Sequence, residues 1–163
     1  MDFNLSRIKE VADKLNVLKT KSLVFTVAGT NGKGSTVAIL ESILIENGFN
    51  VGSYTSPHLI NFNERIKINK IHASTKEICQ AFEIIEESRG DVTLTFFEFS
   101  TLAAFIVFSQ KKLDIVILEV GLGGEFDATN VIENPILSII TQISFDHKEY
   151  LGNSITKIAT AKA

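Results

Sequence analysis

The sequence predicts an α/β domain of three layers, with helices on both faces of a mainly parallel central sheet. Three observations carry that reading. Short apolar runs rich in β-branched residues alternate with longer stretches whose apolar residues recur at helical spacing. The first strand, a glycine-rich turn and a helix follow one another without a break, as a βα unit requires. The polar clusters fall just after predicted strands: the turn around Lys33, Thr55-Ser56, Glu119 and Asp146-His147. Ligands of such sheets bind at the carboxyl ends of the strands.

Each element has its own signal. Ile8, Val11, Ala12 and Leu15 put one apolar face on a first helix. Residues 22–28 read as a buried strand. A helix over 34–46 turns Val37, Leu40 and Leu44 inward, and Asn47-Gly48 stops it. Residues 49–55 give a second strand, and βαβ in this order favours parallel pairing. Residues 56–63 break the regular pattern, with Pro57 holding Ser56 extended. Over 64–69, Arg65 and Lys67 alternate with Ile66 and Ile68 as in an exposed strand.

Ser74 with Glu77 forms a capping box. The helix behind it buries Ile78, Ala81, Phe82 and Ile85 and ends before Gly90. Thr95 opens a strongly apolar helix to about residue 109, with Phe99, Leu102, Ala103, Ile106 and Val107. Residues 113–120 are a third buried strand, 121–130 a glycine-rich loop and 136–144 a fourth strand. Ser154 caps a last helix. That helical pattern runs to Lys162-Ala163 with no stop signal, so the sequence predicts a truncated domain.

The bulk properties exclude several classes. At 163 residues the chain is long enough for one domain with a substantial core. A hydrophobic content of 45% with 21% charged residues is globular rather than disordered. The net charge of −3 argues against a broad nucleic-acid surface. The lone cysteine, Cys79, rules out an internal disulfide, fits a reducing, cytoplasmic setting and reads as a small buried helix residue. No apolar run approaches a membrane span, and Asp2, Glu10 and Asp13 do not suit a targeting peptide.

The chemistry is concentrated in residues 24–36, Val-Phe-Thr-Val-Ala-Gly-Thr-Asn-Gly-Lys-Gly-Ser-Thr. Gly29, Gly32 and Gly34 surround Lys33. Such a turn lets backbone N–H groups approach an anion, while the helix N-terminus and the lysine add positive charge. Against the nucleotide-loop pattern G-x-x-x-x-G-K-[ST], Val27 takes the first glycine position and Gly34 the hydroxyl position, with hydroxyls following at Ser35 and Thr36. On pattern alone an ordinary glycine-rich βα turn stays open. Glu119 ends a buried strand, where an acid beside a phosphate loop suits Mg²⁺; a carboxylate paired at the sheet edge is the alternative. His147, taken by itself, reads more often as a structural histidine, and imidazole is an unusual ligand for Mg²⁺.

Gly-Thr-Asn-Gly-Lys-Gly-Ser resembles the loop of the folylpolyglutamate and dihydrofolate synthases, a branch of the Mur ligase superfamily. Mur ligases proper more often place threonine or serine directly after the lysine. Further segments match in the family's order: Thr55-Ser56-Pro57-His58-Leu59 with Glu64-Arg65, Thr95-Phe96-Phe97-Glu98-Phe99, Leu118 to Gly124, Asp127-Ala128-Thr129-Asn130, and Asp146-His147 through to Lys162. The resemblance implies a P-loop-type domain. Residues 1–163 would be the N-terminal part of the ATP-binding domain, without its remainder or the C-terminal domain.

By position, the resemblance implies that Gly29, Thr30, Asn31, Gly32, Lys33, Gly34, Ser35 and Thr36 hold ATP phosphates. Thr95, Phe96, Phe97, Glu98, Phe126, Asp127 and Ala128 would contact the pterin-bearing substrate. Ser56 and Glu119 would bind one Mg²⁺ and His147 a second, with Lys162 as the lysine the family carbamylates. Ala161 stands where the family often has glutamate, and without the resemblance Lys162 reads as a solvated surface lysine. Lys33, Glu119, His147 and Lys162 form the implied catalytic set. The implied partners are ATP, L-glutamate and a folate or dihydropteroate, with neither nucleic acid nor membrane. The implied reaction is ATP-dependent amide formation through an acyl phosphate, with the isolated chain inactive and its Lys162 frayed and solvated near the terminus. A cell-wall Mur ligase and a non-catalytic nucleotide-binding fragment are the alternatives.

Overall fold

The computed structural model describes residues 4–163. Helix α1 (Ser6–Leu15) buries Ile8, Val11 and Ala12. Strand β1 (Leu23–Ala28) runs into the glycine-rich turn and helix α2 (Lys33–Glu46). Strand β2 (Val51–Tyr54) follows, then a 3-10 turn at Phe62–Arg65 and a hairpin of β3 (Ile66–Ile68) and β4 (Ile71–His72). Helices α3 (Thr75–Arg89) and α4 (Phe96–Ser109) come next. Each starts with a reciprocal cap, Ser74 with Glu77 and Thr95 with Glu98. Strand β5 (Ile115–Glu119), a 3-10 turn at Ala128–Val131, β6 (Leu137–Ile140), α5 (Lys148–Leu151) and α6 (Ile155–Lys162) complete the chain.

The strands form one six-stranded sheet in the order β4-β3-β2-β5-β1-β6. The four strands β2, β5, β1 and β6 run parallel, and β3 pairs antiparallel with both β2 and β4. Strand β5 is central because all five of its residues are apolar or shielded, the pattern of a strand covered on both faces. Its pairing sets Glu119 opposite Val27, one residue before the end of β1. That register delivers the carboxylate to the glycine-rich turn.

Two apolar cores flank the sheet. One joins Val24, Val116 and Leu118 to α1, α3 and α4, through Ile8, Ile78, Ile85, Leu102 and Phe105. The other joins Val27, Ile115 and Ile117 to Val37 of α2, with Leu40 and Leu44 packed against it. The expected three layers and the inward face of α2 are therefore present.

Several expectations need correction. The strands are shorter than read: side chains take the N–H groups at the entry to β2, Asp114 accepting from Asn50 N at 2.8 Å and Asn69 from Val51 N at 2.7 Å. The exposed strand over 64–69 is a turn plus β3, with Arg65 and Ile66 both buried. Its partner β4 went unread, because two residues carry no period. Cys79 is exposed, on the outer side of α3. Lys162 is neither frayed nor solvated; it is 6% exposed.

Candidate active site

Gly29 leaves β1 at φ +135°, a conformation L side chains rarely adopt, and a Cβ there would fall 1.9 Å from Thr141 Oγ1. The turn is thus pressed against the segment after β6. Thr30 and Asn31 N–H groups donate to Gln142 O at 2.9 and 3.3 Å, and Thr30 Oγ1 donates to Ser144 O at 3.1 Å. Gly32, at φ +85°, precedes α2 and has open space on its Cβ side. Lys33 Nζ folds back and donates to Gly29 O at 3.1 Å and Thr30 O at 3.3 Å. Thr36 turns its hydroxyl onto Gly32 O at 2.9 Å, while Ser35 is exposed at the start of α2.

Lys162 reaches the same place from the far end of the chain. Its Nζ also donates to Gly29 O, at 3.1 Å, so two ammonium groups share one carbonyl oxygen. Burial and the neighbouring Lys33 hold the Lys162 pKa below the usual lysine value, with Asp146 and Asp127 opposing. The helix that carries it is seated by close backbone contact. A Cβ on Gly124 would lie 2.7 Å from Ala161 O and 2.8 Å from Lys162 Cα. Glu125 N donates to Ala161 O at 3.2 Å.

Glu119 stands on the other side of the turn. A Cβ on Gly34 would lie 3.8 Å from its Oε2, an ordinary van der Waals contact, so the first turn of α2 runs directly beside this carboxylate. Glu119 Oε2 accepts from Ser56 N at 3.2 Å. Burial pushes its pKa above the ordinary carboxylate value, against the pull of the Ser56 amide and the Lys33 and Lys67 ammoniums. The structure therefore brings Lys33, Glu119, Ser56 and Lys162 to one edge of the sheet. His147 is set apart from Glu119 in its bonding: its Nε2 lies 3.4 Å from Asp146 Oδ2, and its side chain is 42% exposed. Among the described residues no three His, Cys, Asp or Glu side chains gather into a metal cluster.

A cleft of about 520 Å³ opens beside these groups. Ser56, Thr95, Phe96, Phe97, Glu98, Phe126, Asp127, Ala128 and His147 all line it. Within it Asp127 is buried and committed to the loop, accepting from Gly121 N, Leu122 N, Thr129 N and Thr129 Oγ1 at 3.0, 2.8, 3.0 and 2.6 Å. Burial pushes its pKa up against those bonds. Glu98 Oε2 accepts from Thr95 N at 2.7 Å, and Arg7 Nη2 lies 3.4 Å from Glu98 Oε1.

The cleft also holds residues that pattern reading missed. Arg65 lies with its guanidinium 5.3 Å from the Phe96 ring and 5.7 Å from the Phe62 ring, and its Nε donates to His58 Nδ1 at 2.8 Å. Asn4, Leu5 and Arg7 contribute from the N-terminal segment. The signal for Arg65 was its place two residues ahead of Lys67 in an otherwise apolar alternation, which favours neither face. Above it, Glu64 accepts from the amides of Leu59, Ile60 and Asn61 at 2.7, 2.9 and 2.7 Å. Those amides, Asn61 first, bring its pKa down to about 2.

A lysine in a glycine-rich turn at the carboxyl end of a parallel sheet, with a buried acid beside it, defines an α/β domain of the P-loop type. Comparison with known proteins narrows the class. The profile of the Mur ligase middle domain matches residues 27–163, and the chain belongs to that family. It is 52% identical over 160 residues to a dihydrofolate synthase/folylpolyglutamate synthase of Buchnera aphidicola subsp. Schizaphis graminum, covering 98% of this chain and 38% of the relative. The structure of E. coli FolC in complex with DHPP and ADP superposes with a TM-score of 0.96 at 46% identity, over 99% of this chain and 39% of that one. A bifunctional folylpolyglutamate synthase/dihydrofolate synthase with Mn, AMPPNP and L-glutamate bound gives 0.94 at 48% identity, over 99% and 40%. The chain thus spans about 38% of the length of the curated relatives it matches. Among the described residues no helix is long and apolar enough to cross a membrane.

Proposed function

We propose that the protein carrying this chain is an ATP-dependent ligase that adds L-glutamate to a folate, with dihydropteroate as a second acceptor. The observation that supports it most is the shared sheet edge: the Lys33 turn, Glu119 and the aromatic cleft of Phe96 and Phe126 open side by side. The relatives named above carry that activity in their names, and they do not favour a cell-wall Mur ligase. Residues 1–163 are read as the N-terminal part of the ATP-binding domain of a longer protein, which in isolation binds nucleotide weakly and does not turn over.

In this reading the acceptor carboxylate attacks the γ-phosphorus, ADP leaves and an acyl phosphate forms. The glutamate amine then attacks the acyl carbon, phosphate leaves and the amine proton is lost. Lys33 leaves the Gly29 and Thr30 carbonyls to meet phosphate oxygens, and the N–H groups from Gly32 to Ser35 receive the rest. Residues 95–98 and 126–128 form the wall against which an aromatic acceptor packs.

The donor set fits a hard cation. Glu119 offers a carboxylate that accepts one protein N–H, from Ser56, and the Ser56 hydroxyl is the second oxygen of the proposed set. Mg²⁺ needs few protein oxygens because phosphates and water supply the others. When bound, it supplies charge neutralisation for the transferring phosphoryl group. His147 is proposed for a second ion, and Lys162 for carbamylation, which requires a neutral amine and so is helped by its lowered pKa.

The test is an assay of the full-length protein with Mg-ATP, L-glutamate and, in parallel, a reduced folate, dihydropteroate or a UDP-muramyl acceptor. Glutamylated folate detected by mass spectrometry is the expected product. Turnover confined to the muramyl acceptor would overturn the reading.

A further inference from the structure

A second cavity, of about 540 Å³, lies at the opposite end of the same sheet. It opens where β1 and β5 begin, at Ser22 and Leu113, about 20 Å along β1 from the lysine turn. Its size is that of a small-molecule site. Val17, Phe105, Phe108, Val116 and Ile132 make an apolar floor. The rim is basic in a chain whose net charge is −3. Lys19 and Lys21 come from the segment between α1 and β1, and Lys111 and Lys112 from the segment between α4 and β5.

The rim charges are not consumed by the fold. Lys111 is held by Glu77 at 2.6 Å. Lys19, Lys21 and Lys112 are exposed, and among the described residues none makes a hydrogen bond or ion pair. The one acid on the lining, Asp114, is engaged by Asn50 N. Three separated ammonium groups above an aromatic floor suit an apolar body with several anionic groups.

The kind of anion follows from the local backbone. The cavity sits at the carboxyl ends of α1 and α4, beyond Asn16 and Gln110. Helix C-termini carry partial negative charge, which opposes every anion, and a dense polyphosphate more than single, spaced carboxylates. The positive charge comes from lysines on two separate segments, point charges on flexible stems, rather than from a backbone cradle. Such a rim matches carboxylates spaced along a chain.

We propose that this cavity is a second ligand site, for an aromatic body bearing a chain of spaced carboxylates. This identity rests on the ligase reading, since each turn of that reaction adds one carboxylate to a pterin-bearing molecule. The site recognises the extended product and discriminates by tail length, because a longer tail reaches more of Lys19, Lys21 and Lys112. It is remote from the reacting atoms, so occupancy reports product without blocking the cleft.

The experiment uses the full-length protein and calorimetric titration with pteroyl-tri-γ-glutamate, pteroyl-monoglutamate, ADP and inorganic phosphate, beside a Lys19→Glu/Lys21→Glu/Lys112→Glu variant. The three lysines are exposed and unpaired, so the variant should fold, and circular dichroism checks that. Two sites for the triglutamate are expected in the unmodified protein and one in the variant. At the second site the triglutamate should bind about tenfold tighter than the monoglutamate, with a preference that fades as salt is raised. ¹³C-methyl NMR of reductively methylated lysines should place the shifts on the rim. One-site binding in the unmodified protein, two-site binding in the variant, or equal competition by phosphate or ADP would overturn the site. Ligase activity with one-site binding would sink this inference alone. Two-site binding without ligase activity would leave the site standing and remove the function proposed above.

Discussion

The two ends of the parallel sheet use charge in opposite ways. At the carboxyl end, Lys33, Lys162, Glu119 and Asp127 are wholly or partly withdrawn from water and tied to backbone groups. Burial costs them solvation, and fixed N–H and C=O partners offset part of that cost. At the amino end, Lys19, Lys21 and Lys112 stay in solvent and are tied to nothing among the described residues. The difference teaches where geometry is stored. Held charges keep a position that chemistry can use; free ones keep adaptability and cost the fold little.

The contrast can be tested from its strongest member downwards. Under the function proposed above, Lys33→Ala in the full-length protein should lower kcat/KM at least about a hundredfold, the loss expected for a cation that meets a transferring phosphoryl group. Steady-state kinetics with saturating Mg-ATP measures it, and near-normal activity would refute the loop assignment. Gly124→Ala strikes the seat of Lys162 rather than the lysine itself. Its methyl would meet Ala161 O and Lys162 Cα below 3 Å, and such overpacking costs about 1–3 kcal/mol. Chemical denaturation should show the loss, with activity falling as α6 shifts.

A smaller effect separates Glu64, whose carboxylate is solvent-exposed yet held by three amides. Its folded pKa of about 2 lies below the ordinary value of 4.5. Its contribution is therefore complete above about pH 4.5 and lost as pH falls toward 2. Glu64→Gln should flatten that part of the acid-unfolding profile, lowering stability near pH 7 and leaving it little changed near pH 2. The smallest effect belongs to the amino end. Lys19→Ala should change thermal stability by no more than about 0.5 kcal/mol. A larger loss would mean that this rim, too, is built into the fold.

The same contrast explains what could be read in the sequence. The turn from Val24 to Thr36 was legible because strand, glycines and helix are contiguous. The caps Ser74–Glu77 and Thr95–Glu98 were legible because their partners are three residues apart. Burial set by distant partners was not. Lys162 depends on Gly29, 133 residues away. Glu41 looks like an exposed helix acid, yet it is buried where Ser53 Oγ and Lys70 N donate to it at 3.0 and 3.2 Å. Arg65 depends on the Phe96 ring of α4 as well as on Phe62 of its own turn. Cys79 was misplaced for the opposite reason: its helical spacing fits the buried face of α3 as well as the outer one.

The carbonyl of Gly29, shared by two lysines, couples their charges. An anion that draws Lys33 toward itself removes a repulsion felt by Lys162 and makes Lys162 hold its proton more firmly. By reciprocity, a Lys162 that has surrendered its proton leaves Lys33 less crowded by like charge and changes nucleotide affinity by the same factor. Under the function proposed above, nucleotide binding and modification of Lys162 would communicate through this one carbonyl oxygen.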